Sequence, residues 1–138
     1  MSLKNALSSF FADRKLPGVT SVYLFGSEAE GRAHRESDVD LAILLNRGMY
    51  PGSMDRADLA LTLNAELVGV LRRNEIDLVV LNDAPPELGR AIVRKGIRVY
   101  CCDPEADHAF LRDIQLRAAD LEPFLRRTRS VKLRQLRK

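Results

Sequence analysis

Two apolar runs separated by a short polar segment are the feature that most constrains the fold of this chain. The first run, residues 19–25, is rich in β-branched and aromatic residues, which is typical of a buried strand, and Gly26 ends it abruptly. The second run, residues 38–45, carries Asp38 and Asp40 at its start and is otherwise apolar. Because residues two apart in a strand point to the same side, both carboxylates are expected on one face of this second strand.

The paired aspartates predict a site for a divalent cation. At a strand rise of about 3.3 Å per residue, the Cα atoms of Asp38 and Asp40 lie about 6–7 Å apart. Both carboxylates can therefore converge on one magnesium ion or on two adjacent ions. Like charges entering an apolar strand also repel each other and lose solvation, which costs stability unless a cation compensates. An isolated Asp-x-Asp more often marks a solvated strand start or a turn, so its context matters.

The segment that follows the first strand predicts an anion site close to the aspartates. Gly26 and Ser27 come directly after the strand, and residues 28–31 can form one helical turn. Such a turn presents unpaired backbone N–H groups and the Ser27 hydroxyl to an anion. Gly26 has no side chain, so a phosphate can approach the backbone there.

These two motifs resemble the signature of the nucleotidyltransferase superfamily of the DNA polymerase β type. Residues 26–31 read G-S-E-A-E-G, and residues 37–41 read S-D-V-D-L. The order and spacing match G-S-x-A-x-G followed by S-D-x-D-[LIV]. The resemblance spans about residues 10–122 and favours the minimal nucleotidyltransferase (MNT) subgroup, since the chain is short. It implies nucleotide binding by Gly26, Ser27 and Ser37, and both metal binding and a catalytic role for Asp38 and Asp40.

A third carboxylate lies on the predicted third strand, residues 75–81. Asp77 shares a face of this strand with Val79 and Leu81. By itself it could simply cap the turn that precedes the strand. The resemblance implies that Asp77 is the third metal ligand and a catalytic residue. Asp83, in the turn beyond the strand, is the competing candidate.

The resemblance also implies an activity and a partner. We expect a magnesium-dependent enzyme with two metal ions, and the implied reaction transfers AMP from ATP to a tyrosine of a HEPN-domain ribonuclease toxin. The protein would then act as the antitoxin. Two alternatives stay open: nucleotidyl transfer to a small molecule, such as an aminoglycoside, or to an RNA end, and a non-catalytic antitoxin that binds and occludes its partner.

The rest of the chain predicts an α-β-β-α-β-α-β-α order and an α/β (α+β) fold. Helices are expected over residues 3–15, 53–73 and 85–95 and from residue 104, with a fourth strand over residues 97–102. We expect a mixed four-stranded sheet with helices mainly on one face, which leaves the other face partly open to substrate. The predicted core faces of the second and last helices consist of Ala60, Leu63, Leu67, Val70 and Leu71, and of Phe110, Ile114, Ala118, Leu121 and Leu125.

Length and charge predict one domain and a basic tail. The 138 residues, 46% of them apolar, suit a nucleotidyltransferase domain over residues 1–125. The tail, residues 126–138, carries seven basic residues and no acid, so removing its charge from the net +3 leaves −4. Such a tail indicates contact with nucleic acid or an acidic surface, or a solvated end. With no membrane-length apolar run and no signal-peptide pattern, a cytoplasmic location is expected.

Overall fold

The protein, seen here in a computed structural model, is described over residues 2–26, 38–73 and 75–119. The elements are α1 (Leu3–Arg14), β1 (Val19–Phe25), β2 (Val39–Leu45), α2 (Ser53–Leu71), β3 (Ile76–Val80), a 3-10 turn (Leu81–Asp83), α3 (Pro86–Lys95) and β4 (Ile97–Cys101). Residues 104–119 form a further helix, α4. The predicted order of helices and strands is confirmed, and the described boundaries agree to within two residues.

The four strands form one mixed sheet in the order β3-β2-β1-β4. β1 runs antiparallel to both β2 and β4, whereas β2 and β3 are parallel. Parallel neighbours need a long crossover, which α2 supplies between β2 and β3. The predicted mixed four-stranded sheet is therefore confirmed.

The first face of the sheet packs against α1 and α2. Alternate residues of β1 and β2 point to this face, and the helices contribute the apolar side chains that meet them. The fully buried members of this core include Leu7, Phe11, Val22, Leu41, Ile43, Leu63 and Leu67. Because so many large side chains are removed from water here, this layer is the main hydrophobic core.

The longest described helix, α2, differs from its prediction at Val70. Its N-cap is Gly52, and the Asp55 carboxylate accepts a hydrogen bond from the Gly52 N–H at 3.1 Å. Val70 is 59% exposed. It borders an open groove between α2 and α1, so its predicted place in the core is wrong. Among the described residues, no helix is long and apolar enough to cross a membrane.

The second face of the sheet carries its own, smaller core. Ile92 and Val93 of α3 and Phe110 of α4 pack against Tyr23 and Ala42. The expectation of helices mainly on one face therefore needs correction, because two helices cover each face. α3 and α4 lie close together, since any side chain at Gly89 would collide with Ile114. What they leave uncovered on this face is the end at which β2 and β3 begin.

One buried carboxylate fastens α4 to the sheet. Asp107 is only 1% exposed and accepts hydrogen bonds from Ser21 Oγ at 2.7 Å and from Tyr23 Oη at 2.8 and 2.9 Å. Arg98 of β4 adds an ion pair at 2.9 Å. Burial, followed by the bond to Asp107, raises the pKa of the Tyr23 hydroxyl. A buried charge with this many partners is satisfied and has a structural role.

The end of β2 is closed by the side chain of Asn82, which lies in the 3-10 turn after β3. Its Nδ2 donates to the Leu45 carbonyl at 2.8 Å, and its Oδ1 accepts from the Leu45 N–H at 2.9 Å. The amide therefore pairs with a backbone residue as a neighbouring strand would. It ties the end of β3 to the end of β2.

Candidate active site

Two of the predicted site aspartates are direct neighbours across parallel strands. The register of β2 and β3 pairs Asp40 with Asp77, between the pairs Val39–Ile76 and Leu41–Leu78. Neighbouring strands lie about 4.8 Å apart, and paired residues point to the same face. Both side chains belong to the second face, since the next pair along, Ala42 and Val79, belongs to the core of that face. Asp40 is partly buried and Asp77 is exposed.

Asp38 precedes β2 and is exposed. The pKa of the Asp40 carboxyl is raised, mainly by burial. The charge of Asp77 raises it further, and the charge of Asp38 has the smallest of the three effects. The three acids thus repel one another, as the sequence predicts. A carboxylate whose pKa is raised in this way gains from any cation that binds beside it.

The backbone at Gly26 lies directly against the Asp40 side chain. Gly26 adopts φ = 75°, a left-handed conformation that disfavours other residues. Phe25 pairs with Asp40 across β1 and β2, which brings Gly26 against the carboxylate. A Cβ atom at Gly26 would collide with Asp40 Oδ2. Glycine is required here for both its conformation and its size.

Asp83, the competing candidate for third ligand, lies elsewhere and has another partner. It follows the end of β3, whereas Asp77 lies at the beginning of that strand. Its two carboxylate oxygens accept from Arg56 Nη2 at 2.7 Å and Nε at 2.9 Å. Hydrogen bonding from Arg56 lowers the Asp83 pKa. Arg56, 6% exposed, also donates to the Tyr50 carbonyl, so this ion pair is structural.

Asp38, Asp40 and Asp77 supply carboxylate oxygens that could hold a magnesium ion. In the described ranges, no group of three His, Cys, Asp or Glu side chains is arranged as a finished metal site. Asp40 and Asp77 nevertheless supply two facing carboxylates, with Asp38 beside them, and carboxylate oxygen is the ligand that magnesium prefers. The raised pKa of Asp40 gives the same indication, because it marks unbalanced negative charge.

Ser27 and Ser37, the other predicted nucleotide-binding residues, lie outside the described residues, as does the rest of the segment between Gly26 and Asp38. The two described ends of that segment are close together, because Phe25 pairs with Asp40. Gly26 and Asp38, the described residues that flank this segment, therefore both lie near Asp40.

The C-terminal end of α3 also reaches this part of the sheet, which sequence reasoning missed. Ile97 of β4 pairs with Leu24, and Gly96 fits against the Leu24 carbonyl and Phe25. The last turn of α3 carries the exposed Arg94 and Lys95. Their position follows from the antiparallel pairing of β4 with β1, for which no local motif gives a signal. They carry positive charge directly before Gly96, which fits against Phe25.

Comparison with known proteins gives a family and one close sequence relative. A family model described as polymerase beta, nucleotidyltransferase, matches residues 5–105. The protein adenylyltransferase MntA of Shewanella oneidensis is 32% identical over 85 residues, which are 62% of this chain and 56% of MntA. The match thus spans little more than half the length of that relative.

Solved structures share the fold over nearly the whole chain. A toxin–antitoxin crystal structure with AMP-PNP contains a chain that superposes with a TM-score of 0.64 at 25% identity, covering 91% of this chain and 98% of that one. A complex of tri-AMPylated Shewanella oneidensis HEPN toxin with MNT antitoxin gives a TM-score of 0.60 at 22% identity, covering 93% and 98%. The second likeness shows the fold alone.

Proposed function

We propose that this chain, which belongs to the polymerase beta nucleotidyltransferase family, transfers AMP from ATP to a tyrosine hydroxyl of a HEPN-type partner and thereby acts as its antitoxin. The observation that carries the proposal is the pairing of Asp40 with Asp77 at the uncovered end of the second face. The similarity to MntA, a protein adenylyltransferase, supports the choice of a protein acceptor.

Asp38, Asp40 and Asp77 are the proposed metal ligands. The Mg²⁺ ions they would hold neutralise charge on the triphosphate and polarise the α-phosphate when bound. Gly26, Ser27 and Ser37 are the proposed nucleotide-binding residues. Gly26 contributes by leaving room beside Asp40 where a side chain would intrude. Arg94 and Lys95 contribute positive charge near the triphosphate.

In the proposed reaction the tyrosine oxygen attacks the α-phosphorus of ATP. A phosphodiester bond forms to the tyrosine, the bond between the α-phosphorus and the bridging oxygen breaks, and pyrophosphate leaves. We assign the acceptance of the hydroxyl proton to Asp77; its exposure and its position beside Asp40 support this role. Catalysis rests mainly on positioning and on charge neutralisation.

A protein acceptor suits the exposure of the site. Asp38 and Asp77 are both exposed, so a tyrosine on another protein can reach them. Docking contacts far from the hydroxyl can offset the entropy lost in positioning it. AMP attached to the tyrosine adds a negative charge and bulk, which would repel RNA from a nearby cleavage site by the same electrostatics as phosphorylation.

The experiment incubates the chain with ATP, magnesium and a HEPN-type partner encoded beside it, and measures the intact mass of the partner. We expect added AMP units with the wild type and none with Asp40→Asn. Asp58→Asn, at an exposed acid of α2, is the matched control and should be fully active. The proposal is wrong if the partner stays unmodified yet is neutralised by the Asp40→Asn protein, since binding alone would then explain inhibition.

The basic tail and the cytoplasmic location remain part of this proposal. Residues 126–138 lie outside the described residues. We propose that their seven positive charges strengthen contact with nucleic acid or an acidic partner surface. Truncation after Leu125 should weaken that contact at low salt more than at high salt, and leave ATP affinity unchanged.

A further inference from the structure

Helix α2 has a second apolar side that packs on nothing in the described part of the chain. Three of its large side chains are exposed: Met54 at 75%, Leu61 at 70% and Val68 at 37%. Ala57 and Ala65, also exposed, lie between them. At 100° per residue, steps of four and seven residues return to nearly the same side of a helix, so these five form one line, the α2 stripe.

The stripe is distinct from the core side of the same helix. Ala60, Leu63 and Leu67 face the sheet and are buried. An amphipathic helix needs only that one apolar side to pack on its own domain. A second line of exposed Met, Leu and Val along the helix indicates an interaction surface.

The order of residues in the stripe reads the same in both directions about Leu61. Alanines stand four residues before and after it, at Ala57 and Ala65, and large apolar residues stand seven before and after it, at Met54 and Val68. A two-fold axis through Leu61 would place Leu61 on its own copy, each alanine on the other alanine, and Met54 on Val68. Such self-complementarity is what a two-fold interface requires.

Charge on α2 favours the antiparallel arrangement that the two-fold axis demands. Asp55 and Asp58 lie in its first half and Arg72 caps its end, whereas Arg56 and Glu66 are already paired with Asp83 and Arg14. Antiparallel packing brings the acidic end of one copy toward the basic end of the other, and the helix dipoles also oppose each other. Parallel packing would bring like charges together.

We propose that the chain forms a two-fold dimer through antiparallel packing of α2 stripes. The stripe is about 21 Å long, from the helical rise over fourteen residues. A stable interface usually buries about 800 Å² per partner. A single pair of short helices buries less than this. We therefore expect weak association, with a dissociation constant on the order of 10–100 μM. The aspartates stay accessible, because α2 packs on the first face and they lie on the second.

The first test is sedimentation equilibrium of the full chain across the micromolar range. The wild type should show a monomer–dimer equilibrium, and Leu61→Glu should raise the dissociation constant at least tenfold. Leu116→Glu is the matched control, since Leu116 is 67% exposed but lies on α4, and it should dimerise like the wild type. Thermal unfolding checks that both variants fold. Equal association of wild type and Leu61→Glu overturns the proposal.

The second test fixes the orientation by disulfide cross-linking, with Cys101 and Cys102 replaced by serine. Mixed Met54→Cys and Val68→Cys chains should cross-link to each other, and Leu61→Cys chains should cross-link to themselves. Val70→Cys, on another side of α2, should not. Cross-linking between two Met54→Cys chains would indicate parallel packing and overturn the proposal. A monomer whose Leu61→Glu variant fails to bind a HEPN-type partner would also overturn it, by assigning the stripe to that partner.

Discussion

Asp107 of α4 and the strand pair Asp40 and Asp77 lie on the same side of the sheet and have opposite surroundings. Asp107 is buried and bonded to Ser21, Tyr23 and Arg98. Asp40 faces Asp77, and no described residue forms an ion pair with either. A buried charge with a full set of partners stabilises the fold, whereas the half-buried Asp40, whose pKa is raised by burial and by the neighbouring acids, lowers its stability until a cation arrives. Their surroundings thus differ as expected for a structural carboxylate and for the proposed site carboxylates.

The largest expected effect separates Asp77 from Asp83. Asp77→Asn should reduce nucleotidyl transfer about a thousandfold or more, equivalent to about 4 kcal/mol in the activation barrier, because it removes a charged ligand. Asp83→Asn should keep the wild-type rate per folded molecule and lose stability, since it weakens the pair with the buried Arg56. Initial rates and denaturation curves of both variants decide this. A normal rate with Asp77→Asn would remove Asp77 from the proposed site.

Replacement of the partnered carboxylate should instead affect folding. Asp107→Asn should lower the free energy of unfolding by about 3 kcal/mol, because it leaves Arg98 unpaired and weakens the bonds of two buried hydroxyls. Asp113→Asn, which breaks the exposed pair with Arg117, should change stability by less than about 0.5 kcal/mol. Urea titrations measure both. Similar small losses would mean that Asp107 does not fasten α4.

Substitutions at two glycines should have smaller effects on stability, and these effects should be opposite in sign. Gly26→Ala should destabilise the protein by about 1–2 kcal/mol and reduce transfer, because it strains a left-handed backbone and displaces Asp40. Gly69→Ala should stabilise by about 0.5–1 kcal/mol, since it lies within α2 with open space around it. If Gly26→Ala kept both stability and activity, the close approach to Asp40 would have no functional weight.

The smallest effect is a dependence of stability on pH. Asp40 has a raised pKa, so its charged form is disfavoured by folding and its penalty is fully present above that pKa. Asp40→Asn should therefore stabilise the magnesium-free protein at pH 7. The gain should shrink as pH falls through the raised pKa and vanish below the ordinary value for aspartate. A gain that does not change with pH would contradict a raised Asp40 pKa, whether burial or the neighbouring acids cause it.

The sequence predicts the elements better than it predicts their contacts. The strand limits and the alternation that places Asp40 on one face follow from local pattern. The pairing of Asp40 with Asp77 depends on the register of a parallel pair more than thirty residues apart, and no local signal specifies it. The family resemblance supplied Asp77 where residue reasoning alone did not.

The covering of the second face was also beyond the local pattern. An amphipathic helix shows that it packs, but not on which face, so the positions of α3 and α4 were missed. From the sequence alone, Asp107 looks like any polar residue near the start of a helix. The available signal lay in β1, where Ser21 and Tyr23 interrupt a buried strand and, being buried, need polar partners.

The contact of the Asn82 side chain restricts the number of residues that can lie between Asp77 and Asn82. It holds the end of β3 to Leu45, five strand positions beyond the pairing of Asp40 with Asp77. Gain or loss of a single residue between Asp77 and Asn82 would move the Asp77 carboxylate to the opposite face of the sheet, or it would break the hydrogen bonds between Asn82 and Leu45. We therefore expect relatives that use the same pair of acids and the same asparagine to keep the number of residues between these two positions.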